Sequence, residues 1–225
     1  MKSTWMGCIA AICLTFSAAA SAGVMTYTGT VLSATGSSFG MVAPHLFDES
    51  GLSKTYANGV TDFAQYAASG VTHLGSSTTK GTGYYAAAGA TVDIDLGKSL
   101  LVGSLALWND NDAQGVKNFS LAIADNAAFA NAVSLGSFVA KFGNNNTFLS
   151  YSKGTAAQVF DLNDAVGRYV RIKFETANSG SNINVGELVF GAQTPRKIPE
   201  PDSLALTGLG LLALACRRRS KGTVN

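Results

Sequence analysis

Arg168-Tyr-Val-Arg-Ile-Lys-Phe-Glu175 alternates with a period of two. Val170, Ile172 and Phe174 fall on one side of an extended chain, and Arg171, Lys173 and Glu175 on the other. A helix would scatter these residues around its circumference, whereas a strand sorts them, because successive side chains point to opposite faces. Thr91–Leu96 repeats the pattern with Val92, Ile94 and Leu96 against Asp93 and Asp95, and Asn118–Ile123 with Phe119, Leu121 and Ile123. Leu101–Trp108 and Val185–Phe190 are apolar on both sides, as strands covered on both faces are. Weaker strands are expected at 24–32, 133–139 and 157–162, and single helical turns at 60–68 and 125–132. Gly- and Asn-rich stretches such as 143–147 and 179–182 punctuate them. Many short strands without a long repeat predict an all-β, antiparallel jelly-roll sandwich over residues 23–194.

The ends are of a different kind. The 225 residues carry sixteen Lys and Arg against fourteen Asp and Glu, a formal charge of +2. Five of the basic residues are terminal: Lys2, Arg217, Arg218, Arg219 and Lys221. Between Gly23 and Ile198, eleven basic residues face twelve acidic ones, so the body is nearly neutral and a nucleic-acid-binding surface is excluded at the level of bulk charge. The three cysteines, Cys8, Cys13 and Cys216, are also terminal. The body therefore has no disulfide framework, thiolate metal site or nucleophilic cysteine. Residues 1–22 read as a signal peptide for the Sec translocon: Lys2, an uncharged run from Met6 to Ala20, and the small-x-small site Ala20-Ser21-Ala22 before Gly23.

The other end has three parts in order. A linker, 195–202, carries Pro199-Glu200-Pro201; an uncharged run, 203–216, follows; a basic tail, 217–225, opens with Arg217, Arg218 and Arg219. Fourteen helical residues rise about 21 Å, short of the ~30 Å hydrocarbon core. The arginines supply a stop-transfer signal and a cytoplasmic end, so the body faces outward. This tail resembles the PEP-CTERM sorting signal of Gram-negative bacteria. The resemblance implies cleavage near the Pro-Glu-Pro motif by exosortase, a membrane-embedded cysteine transpeptidase. It further implies a protein held briefly in the inner membrane and then passed to the cell envelope or outside. An ordinary C-terminal membrane anchor is the alternative, and it too leaves the body outside the cytoplasm.

Five segments of the body come in a recognisable order: Val92-Asp-Ile-Asp-Leu-Gly97, Leu105-Ala-Leu-Trp-Asn109, Asn118-Phe-Ser-Leu-Ala-Ile-Ala-Asp125, Arg168-Tyr-Val-Arg-Ile172 and Gly186-Glu-Leu-Val-Phe-Gly191. Together they resemble the discoidin, or coagulation-factor C-type, domain, a galactose-binding-like jelly roll. Tyr84-Tyr85 stands where that family usually has a Trp, and the family's disulfide clasp is absent. The resemblance implies a structural Ca²⁺ joining the acidic loop Asp48-Glu-Ser-Gly-Leu-Ser53 to Glu187. Asp48, Ser53 and Glu187 are the candidate ligands, since hard cations take carboxylate, hydroxyl and carbonyl oxygens. The alternative is Asp48 capping a turn and Glu187 paired with a base such as Arg171.

Catalytic motifs fare worse. Gly36-Ser37-Ser38-Phe39-Gly40 matches G-x-S-x-G, but no helical pattern follows it and no strand–helix units surround it. Gly81-Thr-Gly-Tyr-Tyr-Ala86 matches G-x-G-x-x-A without the strand before it or the helix after it. Asp93 and Asp95 share a strand face, where solvated carboxylates outnumber glycosidase pairs. His45 and His73 lack metal-ligand spacing. No enzyme is expected. Trp108 belongs to the core, whereas Tyr84 and Tyr85, in a Gly-rich stretch, with Asn109 and Asp110, form the candidate loop for stacking on sugar rings. The expectation is an exported module that binds carbohydrate, such as exopolysaccharide. The alternative is a structural matrix or surface protein with no small ligand.

Overall fold

A computed structural model describes residues 23–37, 39–74, 82–110, 114–141 and 154–195. The signal peptide, the Pro-Glu-Pro motif, the apolar run 203–216 and the arginine tail lie outside them. Among the described residues no helix is long and apolar enough to cross a membrane. The elements in chain order are β1 (Met25–Tyr27), β2 (Thr30–Ala34), a 3₁₀ turn (Ala43–Leu46), α1 (Phe63–Ala68), β3 (Thr72–His73), β4 (Tyr84–Ala87), β5 (Ala90–Asn109), β6 (Val116–Ala124), β7 (Val133–Val139), β8 (Thr155–Ala156), β9 (Gln158–Ala177) and β10 (Asn182–Gln193).

The expected strands 91–96 and 101–108 are one bent strand, β5, and 157–162 and 168–175 are one bent strand, β9. The two pair antiparallel along their whole length, with the register slipping between Asp95 and Leu100 where the ribbon bends. Before the bend β5 pairs with β2, and the matching half of β9 pairs with β6, which pairs with β7. Beyond the bend β5 pairs with β10, which also takes β1 and β4. The two halves face each other across one core that joins Val92, Ile94 and Phe174 to Leu105, Leu107 and Phe190. The fold is an antiparallel β-sandwich.

β10 and the second half of β5 are apolar on both faces because a second core covers their outer side. Tyr56, Phe63, Tyr66 and Val71 pack there on Ala106, Trp108 and Val189. Trp108 is fully buried and donates Nε1–H to the Val71 carbonyl at 3.3 Å. The covering segment holds α1, whose first turn is capped by Asp62 accepting from the Gln65 amide at 2.8 Å. The second single helical turn expected from sequence, at 125–132, is absent. Asn126 instead takes both the amide and the carbonyl of Ala130, and Phe129 and Asn131 sit at φ +57°, which a right-handed helix excludes.

The outward carboxylates of β5 are not simply solvated. Asp93 receives both Nε (2.6 Å) and Nη2 (2.8 Å) of Arg171, and Asp95 both donors of Arg168 at 2.8 Å. These guanidinium hydrogen bonds hold each carboxyl below its ordinary range. A depressed folded-state value gives stability that is present above the unfolded carboxylate range and lost as pH falls through the folded one. Asp93→Asn should cost about 0.5–1 kcal/mol at pH 7, the scale of a half-exposed pair. It should also flatten the loss of stability below pH 4, both read from urea unfolding at pH 7 and pH 2.5.

Candidate functional site

Three connections converge at one end of the sandwich: β4 to β5, β5 to β6, and β9 to β10. Main-chain bonds lock them together: Ala88 N–H to the Ser181 carbonyl (2.8 Å), Asn178 N–H to Gly115 (2.8 Å) and Asn184 N–H to Gln114 (2.7 Å). On this frame Tyr85 of β4 stands directly across from Asn184 of β10, so both side chains share a face. Gln114 Nε2 donates to the Tyr85 hydroxyl at 3.3 Å. Asn184 Nδ2 donates to the Asp110 carboxylate, and the Asp110 amide returns a bond to the Asn184 carbonyl at 3.3 Å.

Phe39 completes the cluster, and sequence reasoning missed it. Its ring meets Tyr85 edge-on, with centroids 5.8 Å apart and planes at 68°. It is 72 % exposed, and its backbone sits at φ +59°. A left-handed conformation costs a bulky residue roughly 1–2 kcal/mol, and a large exposed aromatic gains little from burial in return. The available signal was a lone aromatic in a polar stretch, flanked by Gly36 and Gly40. The G-x-S-x-G match at these positions leads into a 3₁₀ turn, not the helix of a nucleophile elbow.

The other expected loop residues are corrected. Tyr84 is not in a loop. It lies in strand β4, fully buried, its ring against Phe174 and its hydroxyl donating to the Thr35 carbonyl at 2.8 Å. Burial pushes that hydroxyl up to about 12. Strand alternation sends Tyr84 inward and Tyr85 outward, so only Tyr85 can meet a ligand. Asn109 is a buried strut: its amide bonds both the N–H and the C=O of Val116, at 2.8 and 2.7 Å, clamping the ends of the β5–β6 connection.

The acidic loop reaches Glu187 through a main-chain hydrogen bond. The β10–β5 register slips between Val185 and Glu187, so Val185 joins the main core while Val189 joins the second. Glu187 lies opposite Trp108, fully buried, and its Oε1 accepts the Glu49 amide at 3.1 Å. Oε2 has no partner among the described residues, and neither does Ser50 Oγ. Burial, with the charges of Asp48 and Glu49, pushes the Glu187 carboxyl up to about 9. Arg171 is held by Asp93 and does not pair with Glu187.

Asp48 caps the turn, accepting the Ser50 amide at 2.9 Å and facing His45 Nδ1 at 2.7 Å. Ser53 is occupied by β3, its hydroxyl accepting the Thr72 amide at 2.9 Å. His73 is buried between Gly51 and Gly186, where a Cβ would come within 2.7 Å and 2.6 Å of its ring. Its Nε2 donates to the Ser50 carbonyl at 2.8 Å, and burial lowers its pKa. Among the described residues no three His, Cys, Asp or Glu side chains converge as a metal cage.

Residues 197–219 match the family described as PEP-CTERM protein-sorting motif. No curated protein matches the chain. Among solved structures, the chain is similar to a truncated AlyQ with CBM32 and alginate lyase domains. The identity is 14 %, over 76 % of this chain and 35 % of that one, at a TM-score of 0.43. The chain thus spans about a third of the length of that protein. It is also similar to the family 32 CBM from C. perfringens NanJ in complex with galactose (11 % identity, 74 % and 98 % covered, TM-score 0.47). A third is a putative chitobiase fragment from Bacteroides thetaiotaomicron (12 % identity, 74 % and 90 % covered, TM-score 0.49). The antiparallel sandwich itself rests on this chain's own strand pairing. After that sandwich the chain carries a PEP-CTERM sorting motif, the mark of an exported protein sorted to the cell envelope and processed by exosortase.

Proposed function

We propose that the protein is an exported, non-catalytic carbohydrate-binding module that holds an envelope or extracellular glycan through the Phe39–Tyr85 end of its sandwich. The observation that carries this reading is the cluster itself. A strained, exposed aromatic ring stands beside a second one, bordered by the Gln114 amide, the Asn184 amide and the Asp110 carboxylate, which are fixed in place by hydrogen bonds. The apolar face of a sugar ring stacks on an aromatic side chain while neighbouring amides and carboxylates take its hydroxyls. The Sec translocon would deliver the chain, and the run 203–216 would hold it in the inner membrane until exosortase cuts near Pro199-Glu200-Pro201.

Phe39→Gly separates the binding role from a structural one, because glycine accepts φ +59° without strain. The variant should unfold at the same temperature as the native protein or above it. It should also lose about tenfold in affinity for the glycan that a printed array identifies, near 1.4 kcal/mol. A folded Phe39→Gly protein that binds as tightly as the native one overturns the site.

The loop at Glu187 is the place for a structural Ca²⁺. An orphaned buried carboxylate oxygen and an orphaned hydroxyl, on Glu187 and Ser50, are the kinds of donor the ion takes. Asp48, on the loop, would be the second carboxylate beside Glu187 of β10, and Ser53 is engaged by β3. Bound there, the ion would displace the proton of Glu187, hold its carboxylate in the charged form and tie the covering segment to β10. Millimolar Ca²⁺ should raise the melting temperature by several degrees over an EGTA control, and Glu187→Gln should abolish that response; an unresponsive native protein excludes the ion.

Sorting has its own test. Replacing Pro199, Glu200 and Pro201 by alanine should leave a full-length species in the inner-membrane fraction, detected by blotting a tag placed after Asn225. Unchanged processing would refute this assignment of the cut.

A further inference from the structure

A cavity of about 410 Å³ opens at the same end of the sandwich, lined by Lys117, Asn118, Thr176, Asn178, Ser179 and Gly180 among others. The backbone at Gln114 and Gly115 links it to the aromatic cluster. Gln114 reaches Tyr85 with its side chain, and the next residue, Gly115, accepts the Asn178 amide at 2.8 Å. One short piece of backbone therefore fixes the cavity and the aromatic pair relative to each other. The Asn118 amide is tied to Thr176 Oγ1 at 3.2 Å, which holds the floor of the cavity between β6 and β9.

The lining is amide and hydroxyl with one ionised side chain, Lys117. Lys117 is exposed, and none of the ion pairs among the described residues engages it. Glu175, the acid on the adjoining stretch of β9, gives its carboxylate to the Ser120 hydroxyl at 2.8 Å. The cavity thus presents a cation without an acid in its lining, among neutral hydrogen-bonding groups. Its volume lies within the few hundred Å³ typical of small-ligand sites. The body as a whole is nearly neutral, and Lys117 is the one charged residue of this lining, so at short range it favours negative charge here.

We propose that this cavity is a second subsite, and that it takes the anionic substituent of an acidic sugar unit while the neighbouring unit of the same chain lies on Phe39 and Tyr85. The ligand is then an acidic oligosaccharide, carrying a carboxylate or a sulfate ester. Lys117 selects for charge, and Asn118, Asn178 and Ser179 take ring hydroxyls. This rests on the carbohydrate reading above, and its failure is distinguishable from the failure of that reading.

The purified protein is titrated with tetragalacturonate, a sulfated galactan tetrasaccharide and neutral galactotetraose, after a printed array holding neutral, uronate and sulfated glycans. The acidic ligands should bind about tenfold tighter than the neutral one at low salt, and the margin should shrink in 0.5 M NaCl. Lys117→Gln should remove the margin and leave neutral affinity unchanged, and Lys117→Glu should reverse it. Preference for the uronate or for the sulfated ligand alone identifies which anion the subsite takes. Equal affinity of the native protein for acidic and neutral ligands overturns the subsite and leaves the carbohydrate reading standing. A margin that survives Lys117→Gln overturns the role of Lys117. Silence across the whole array overturns both.

Discussion

The antiparallel ribbon of β5 and β9 is the constraint on which the rest depends. Both strands run the length of the molecule, bend together, and contribute one stretch to each half of the sandwich. With no cysteine in the body, no disulfide joins those halves. The ribbon, and the core it wraps around Phe119, Phe174, Leu105 and Phe190, do that work. Arg168 and Arg171 on β9 grip Asp95 and Asp93 on β5 from the solvent side of the ribbon. The register of its central pair is therefore fixed twice, by apolar alternation inside and by paired charges outside.

The alternation was legible because a strand with one wet face must sort its side chains. That rule found β6 and both halves of β5 and β9, and it placed Trp108 in the core. It also flagged Leu101–Trp108 and Val185–Phe190 as covered on both sides, which the second core explains. It could not see that 91–96 and 101–108 are one strand, since a bend leaves both patterns intact and only breaks their phase. Nor could it see the slip at Gly186, where one extra residue turns Glu187 away from Val185. Period-two reasoning carries across a strand only while the register holds.

The site was less legible than the fold. Tyr85 and Asp110 come together at one end of the sandwich, whereas Tyr84 and Asn109 have become structure. Gly-rich surroundings suggested a loop at 84–85, and pairing with β10 made it a strand, which sends neighbouring tyrosines to opposite sides. Asn109 looked like a loop amide and proved to be a clamp on Val116. Phe39 left no periodic trace, because its role depends on a single backbone conformation and on a partner 46 residues away in β4.

The second core links the acidic loop to the proposed binding end. Trp108 and Val189 need a cover, and the segment from Leu52 to Val71 supplies it. That segment must cross β10 where the chain thickens, at Gly186, and His73 fills the gap between Gly186 and Gly51. A side chain at either glycine would displace the imidazole that holds the Ser50 carbonyl, and with it the loop that carries Asp48 and Glu49 over Glu187. The bulge that buries a carboxylate is thus the same feature that seats its cover. It lies one residue from Val185, which pairs with both Tyr84 and Asn109 at the root of the proposed binding end. Val185 is fully buried, so that short stretch of β10 joins the acidic loop to the proposed binding end by packing and not by charge.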